Sequence, residues 1–472
     1  MLILFYLFCQ NVFAAAYDPK LTWRVLETPH FHIHFHGGEE QLAQELADMA
    51  EDIYVEMSTE LLWEPDQRTQ VVLVDNTDSA NGYATYLPMN TIVIFVTAPE
   101  GDSTLSLYEN WNDAIFTHEL THILHIDTVS GIPKSFRTLF GKIIAINGLA
   151  PGWVIEGQAT LQETRHTNAG RGRASIPDMI KRVATLEDDF PPLGNLEGFQ
   201  AKWPRGNLRY LFGQDFMQYI SDHYGEKVWT DWNHQYGGGI PYLLPDKQSI
   251  GKPLHVLYEE WKSNTHARYQ KVRTNIEQIG ISEFSILTSP EQNCMGGRIS
   301  PDGGRLVYSC NDPETGGSIY LANSDGSEAK IETRRAFSKY FSWRRDSKAY
   351  AYSGSRIVNR FNLFNDVYLR TISKKTQMLT QGKRARDPVF DPSGKHLLVV
   401  TNEAQNNQLA TLTIDQTLTQ HTNNTDHTQY SHPRYSPDGT RIAVSAWHNG
   451  QRDLWLYTPQ GEAVRRITHD HA

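Results

Sequence analysis

Residues 118 to 122 read His-Glu-Leu-Thr-His. On a helix, positions four apart lie above one another with about 6 Å of rise, so His118 and His122 can turn both imidazoles on one ion. Glu119 then falls beside the ion, where its carboxylate can take a proton from water. Such a pentapeptide also arises by chance in a chain with 19 histidines, so a third ligand has to be found. His125 does not qualify. Seven residues of helix place it about 10.5 Å along the axis from His118, whereas nitrogens bound to one zinc ion lie about 2.0–2.1 Å from it. A pattern with glycine at position 125 and histidine at 128 is absent too, since the chain has His125 and Thr128 there. His125 is therefore expected to pack in the core or to support a ligand from behind.

The stretch PGWVIEGQATLQE, residues 151 to 163, supplies a better third ligand. Pro151 and Gly152 break the chain before a helix, and Glu156 falls in its first turns, where a crossing helix could present a carboxylate. Two histidines and one glutamate, with a fourth position left for water, form a catalytic zinc set and not a closed structural one. WVIEGQATLQE resembles the WLNEGFATYxE segment of the alanyl-aminopeptidase-like zinc peptidases, in which the corresponding glutamate binds zinc. HExxH followed by a glutamate on a second helix is the gluzincin plan, shared with thermolysin. TPHFHIHF, DSANGYATYLPMNTIVIF, FTHELTHILHID and PGWVIEGQAT together resemble the bacterial peptidase-MA-like domains that precede TolB-like propellers. The resemblance implies metal ligation by His118, His122 and Glu156, with Glu119 as general base. The gap of 34 positions from His122 to Glu156 is long for these relatives, so SGIPKSFRTLFGKIIAINGLA is expected to be an inserted helix and loop. No GxMEN-type strand is visible, so exopeptidase specificity is not carried over.

Oxyanion stabilisation needs a further donor. Tyr210 to Gly213 resembles the YxKG segment that carries the transition-state tyrosine of those aminopeptidases, with Phe212 in place of the lysine. Tyr210 is accordingly read as the donor, with aromatic core packing as the plain alternative. Glu163 either reaches a ligand histidine or forms a surface salt bridge. NTIVIFVT, residues 90 to 97, is either an edge strand that pairs with extended substrate or an interior strand.

These side chains need a mixed α/β scaffold over residues 17–280. HFHIHFH, TQVVLVD and NTIVIFVT have strand patterns. Residues 39 to 62 place Leu42, Leu46, Met49, Ile53 and Met57 on one helical face. Further helices are expected around 109–127, 152–166, 206–223 and 253–277. His30, His32, His34 and His36 share one strand face, but alternate strand residues stand about 7 Å apart. They are read as a polar face opposite buried Phe31, Ile33 and Phe35.

Beyond residue 282 a repeat sets in: RISPDGGRLVYS, FSWRRDSKAYAYS, PVFDPSGKHLLVV and PRYSPDGTRIAVS align on Asp302, Asp346, Ser393 and Asp438. Four short strands in a period of about 45 residues is the pattern of propeller blades, since one such sheet cannot bury both faces alone. The repeat over 283–472 resembles the TolB-like propellers. Four blades are visible where a closed ring usually needs more, so a partial, truncated propeller is expected.

At 472 residues the chain is too long for one core, and its net charge of −10 argues against nucleic acid as a partner. Residues 1–16 have the apolar run and small terminal residues of a signal peptide, although no Lys or Arg precedes the run. Once that segment is removed, no stable membrane span is expected. Export, to the periplasm or beyond the cell, would permit a Cys294–Cys310 disulfide, with two free thiols as the alternative. The sequence thus reads as an α+β gluzincin-like domain plus an all-β propeller, acting as an exported zinc metallopeptidase. Its partners are a peptide or protein substrate and a protein docked on the propeller. The rival reading makes the propeller a binding scaffold on a degenerate peptidase domain. A serine peptidase is disfavoured because no GxSxG elbow occurs.

Overall fold

The computed structural model describes residues 17–143, 145–198, 203–289, 292–312 and 316–469. The expected signal peptide lies outside them. Five strands open the fold: β1 (Trp23–Glu27), β2 (Phe31–His36), β3 (Thr69–Val74), β4 (Gly82–Thr85) and β5 (Thr91–Phe95). They form one sheet in the order β1-β2-β3-β5-β4. β2, β3 and β5 run parallel, while β1 and β4 lie antiparallel at the two edges. NTIVIFVT is therefore an interior strand, and the substrate-pairing role weighed for it is corrected. Its central residues Ile92, Val93 and Ile94 are all buried, as befits a strand covered on both faces. The edge beside β5 belongs to β4, which at 4 residues is too short to stand out in the sequence.

The histidine strand follows the period of two. Phe31, Ile33 and Phe35 enter the core, and the histidines on the other face are partly buried. Each is tied down by a side chain: His30 by Glu51 (2.6 Å), His32 by Gln70 (3.2 Å), His34 by Gln70 (2.9 Å) and His36 by Glu39 (3.3 Å).

Helix α1 (Glu40–Leu61) lays Leu42, Leu46 and Met57 on the sheet, with Met49 and Ile53 at the margin. Helix α2 (Trp111–Asp127) completes this core through Phe116, Leu120 and Leu124. Its start is fixed by Asn110, whose side chain accepts hydrogen bonds from the backbone N–H groups of Asn112 and Asp113. There follow α3 (Gly131–Phe140), α4 (Gly152–Arg165), α5 (Ser175–Leu186), α6 (Asn207–Tyr224), α7 (Lys227–Gly237), α8 (Asp246–Ser249) and α9 (Leu254–Ile279). A second core of Trp153, Phe212, Phe216, Trp229, Trp232 and Trp261 binds α4, α6, α7 and α9 together. Helices α5 and α7 come in addition to those expected from the sequence. The aromatic, β-branched run of α7 has modest helix propensity and is made helical by burial of Trp229, Trp232 and Tyr236.

Residues 293–466 form four antiparallel four-stranded sheets in succession. The first comprises β6 (Asn293–Ile299), β7 (Arg305–Asp312), β8 (Gly316–Asn323) and β9 (Lys330–Arg334), and three more follow from Phe341 to Arg466. Their first strands pack against one another in turn, which makes the region propeller-like. Asp302 and Asp438 stabilise their turns by accepting from the N–H groups of Gly304 and Thr440. In the third repeat that carboxylate is Asp391, and Ser393 at the aligned position donates to it. Cys294 and Cys310 face each other across β6 and β7 and form a disulfide.

The sheets sit on the α/β part through buried polar contacts. Arg384 binds Asp75 and Asp78, each at 2.7 Å. Tyr340 donates to Glu100 at 2.7 Å, and the Trp447 indole N–H donates to the Tyr108 carbonyl at 3.0 Å. Glu100 and Tyr108 belong to the loop that leads from β5 into α2. Among the described residues no helix is long and apolar enough to cross a membrane.

Candidate metal centre

Helix α2 carries His118 and His122 one turn apart, both buried. Helix α4 crosses it and brings Glu156 up against the pair. The two Nε2 atoms lie 3.2 Å apart, and Glu156 Oε2 is 3.2 Å from His122 Nε2 and 3.6 Å from His118 Nε2. A tetrahedral zinc ion with bonds of about 2.0–2.1 Å separates its donors by about 3.3 Å. The three side chains therefore fit such an ion, and Glu156 Oε2 has no hydrogen-bond partner to occupy it otherwise. Among the described residues this is the one cluster of histidine, cysteine or carboxylate side chains disposed to hold a cation. Burial works against a charged Glu156, yet the two imidazoles outweigh it and hold the carboxyl far below its ordinary range. Burial and Arg171 oppose charge on His118, but Glu156 and Glu163 prevail and raise it to about 9. The point where the three donors meet is one that calls for positive charge.

Glu163, two turns after Glu156 on α4, lies 2.9 Å from His118 Nδ1. It is buried and is no surface salt bridge. A proton on Nδ1 directed at Glu163 leaves the Nε2 lone pair free for a cation. Arg171 grips Glu163 through Nε and Nη2, at 2.8 and 2.6 Å. Burial alone would raise the Glu163 carboxyl, but Arg171 overrides it and holds it at about 2. No motif announces Arg171. The available signal was that a buried carboxylate behind a ligand needs a cation, and AGRGR follows the helix closely.

Glu119 is buried beside the cluster, and its Oε2 has no partner. Desolvation raises its carboxyl, against the lowering pull of His118 and His122. Tyr210, on α6, stacks on the His118 ring at 6.2 Å, and the Arg171 guanidinium lies 4.8 Å over the Tyr210 ring. Burial and the Glu156 charge both raise the phenol, so it stays protonated and able to donate. His125 is buried, and neither ring nitrogen has a hydrogen-bond partner. Burial, reinforced by His122, depresses it to about 3, so it is a neutral core residue.

A cleft of about 250 Å³ opens on this group. Its floor holds His118, Glu119, His122, Glu156, Arg171 and Tyr210, and one wall is residues 81–84, at the edge strand β4. β4 can approach because Gly82 has no side chain: a Cβ there would sit 2.8 Å from Ile115 and 3.1 Å from the Glu119 carboxylate.

Neither a family model nor a curated protein matches this chain. Solved structures similar to it include a TolB-type protein of Agrobacterium tumefaciens, at TM-score 0.31 and 18% identity, over 39% of this chain and 83% of that one. TolB of Acinetobacter baumannii follows at TM-score 0.32 and 14% identity, over 38% of this chain and 44% of the other. Oligogalacturonate lyase of Vibrio parahaemolyticus is matched at TM-score 0.30 and 14% identity, over 39% and 55%. The chain thus spans less than two thirds of the last two.

Proposed function

We propose that this chain is an exported zinc-dependent peptidase. The observation that carries the reading is the convergence of His118, His122 and Glu156 at tetrahedral donor spacing, with the unpartnered Oε2 of Glu119 beside them. Bound zinc would supply Lewis acidity, polarising the scissile carbonyl and acidifying water at neutral pH. Glu119, desolvated and without another partner, takes the proton of the attacking water and passes it to the leaving amine. Tyr210 faces the same cleft as a phenol that remains protonated, and donates to the developing oxyanion. Glu163 and Arg171 hold His118 in the tautomer and orientation that ligation needs. The free edge of β4 offers backbone N–H and C=O groups to an extended peptide laid across the cleft. A backbone-pairing groove favours internal peptide bonds, so cleavage is proposed as endoproteolytic. The Cys294–Cys310 disulfide supports an oxidising, extracytoplasmic compartment.

Metal analysis of the purified chain and cleavage of a quenched generic peptide test the reading. Stoichiometric zinc with chelator-sensitive cleavage is the expected result. A metal-free, inactive chain would leave the propeller as the working part.

A further inference from the structure

The loop from β5 into α2, residues 96–110, touches both parts of the molecule. Near its start Glu100 accepts from Tyr340 and Lys339, at 2.7 and 3.2 Å, and Asp102 accepts from the same lysine at 3.0 Å. Gly101, between them, lies so close to the fourth propeller-like sheet that a Cβ there would sit 2.9 Å from Ser431 Oγ. Near the end of the loop stands Tyr108, 2% exposed, and over it lies Trp447, from the strand Ile442–His448 of that same sheet. The two rings are 5.1 Å apart, and the indole N–H donates to the Tyr108 carbonyl. Trp447 is thereby buried in the core of the α/β part, with Tyr108 and Trp111, and not in the core between its own sheet and the third.

The residues on either side of Tyr108 carry this grip towards the metal centre. The Leu107 carbonyl accepts from the Gly170 N–H at 3.1 Å, and the Glu109 carboxylate accepts from the Asn168 side-chain amide at 3.2 and 3.1 Å. Segment 168–171 is therefore bound to the loop at two points that bracket Tyr108. Gly170 has φ +89° and no room for a side chain, since a Cβ there would lie 2.8 Å from Thr164 Cα. The next residue is Arg171, whose N–H and guanidinium both bind Glu163, the carboxylate behind His118. Leu105, in the same loop, forms part of the cleft wall. A second tie reaches the metal-bearing helix directly. Asn112, in the first turn of α2, and Gln405, in a turn of the third sheet, are both buried and exchange two hydrogen bonds of 3.3 Å through their side-chain amides.

We propose that Trp447 is a positioning residue for the metal centre, acting through Tyr108 and its neighbours to hold Arg171 against Glu163 and so to fix the His118 ring. The propeller-like sheets are then a working part of the site. A loop without regular structure keeps one geometry only where its backbone is tied down. An imidazole ligand in turn depends on the carboxylate behind it for its tautomer and direction. The inference rests on the metal centre proposed above.

Zinc affinity of the full chain, read by competition with a chelator, tests it without recourse to peptide cleavage. Trp447→Phe keeps a ring in the core and removes the indole N–H; zinc binding should weaken about threefold to tenfold, less than for a change at Glu163 itself. Combined with Glu163→Gln, the same substitution should add almost nothing, because the path it acts through is already cut. Arg384→Ala, which loosens the same sheets where they meet Asp75 and Asp78, should lower the melting temperature and leave zinc affinity unchanged. Asn168→Ala removes the other tie from an exposed position, so it should spare the melt and weaken zinc binding in the same direction. Unchanged affinity in both Trp447→Phe and Asn168→Ala, additive losses in the double variant, or an equal loss in Arg384→Ala would each overturn the inference alone. A wild-type chain that takes up no zinc would remove the metal centre itself, and the proposed function with it.

Discussion

Gly157 and Gly213 meet where α4 crosses α6, so closely that a Cβ added to Gly157 would lie 2.7 Å from the Gly213 carbonyl carbon. In return, a Cβ on Gly213 would lie 2.8 Å from the Trp153 carbonyl oxygen. This backbone-to-backbone contact fixes how far Tyr210, about one turn before Gly213, stands from Glu156, the residue just before Gly157. Gly157→Ala must push the helices apart and is expected to cost about 1–3 kcal/mol through overpacking. Thermal melting reads the stability loss. Peptide cleavage should fall further than the melt alone explains, because Tyr210 and Glu156 move apart; unaltered cleavage would show that the crossing does not set the site.

Glu119→Gln keeps the shape of the side chain and removes the base. Zinc content should remain stoichiometric while kcat falls at least about a hundredfold. Turnover at the wild-type level would remove Glu119 from the mechanism.

Glu163→Gln keeps a partner for His118 but loses the charge that Arg171 compensates. Zinc affinity, measured by competition with a chelator, should weaken about 10–100-fold. Arg171→Met leaves the buried Glu163 carboxylate bound to His118 but without its guanidinium counter-charge, so it should destabilise the fold by about 3–5 kcal/mol as well. Retained affinity in Glu163→Gln would show that the contact with His118 is incidental.

Asp215 ties α5, α6 and α9 together. Its carboxylate accepts from Lys181 at 3.0 Å, from the Trp261 indole at 2.9 Å and from Arg268 at 3.1 Å. Burial opposes its charge, but Lys181 and Arg268 outweigh it and lower the carboxyl. Since the folded value lies below the unfolded one, near about 3.9, the unfolded chain binds the extra proton as the pH falls. The stabilisation is complete above that value and disappears as the pH drops through the folded value. Asp215→Asn should therefore flatten the acid limb of a stability-versus-pH curve. It should also destabilise the fold at neutral pH, where Lys181 is left buried without its counter-charge.

Arg384→Ala should loosen the seat of the propeller-like sheets, since Asp75 and Asp78 lose a shared, largely buried partner. Differential scanning calorimetry should show an earlier transition for this variant. An unchanged melt would mean that the remaining contacts, such as Trp447 with Tyr108, hold the two parts together unaided.

Much of this protein is local in origin, and that part is legible in the sequence. The one-turn spacing of His118 and His122, the alternation of Phe31, Ile33 and Phe35, and the turn aspartates of the β repeat all express periods of 3.6, of two or of a single turn, which neighbouring residues set among themselves. The chain break at Pro151 and Gly152 sets Glu156 in the first turns of a helix, but only the crossing of α4 over α2 decides that its carboxylate reaches both imidazoles. Tertiary structure alone chose the partner of Glu163, because Arg171 is recruited by the desolvation of a carboxylate and by no pattern in the chain. It also chose β4 over β5 as the free edge, since strand order depends on which strands find neighbours. The outward stripe of α3, Ile132, Phe136, Leu139 and Phe140, is the clearest case. Its periodicity is that of a core helix, and only the ion pairs of Arg137 and Lys142 with Asp127 decide that the apolar side faces out.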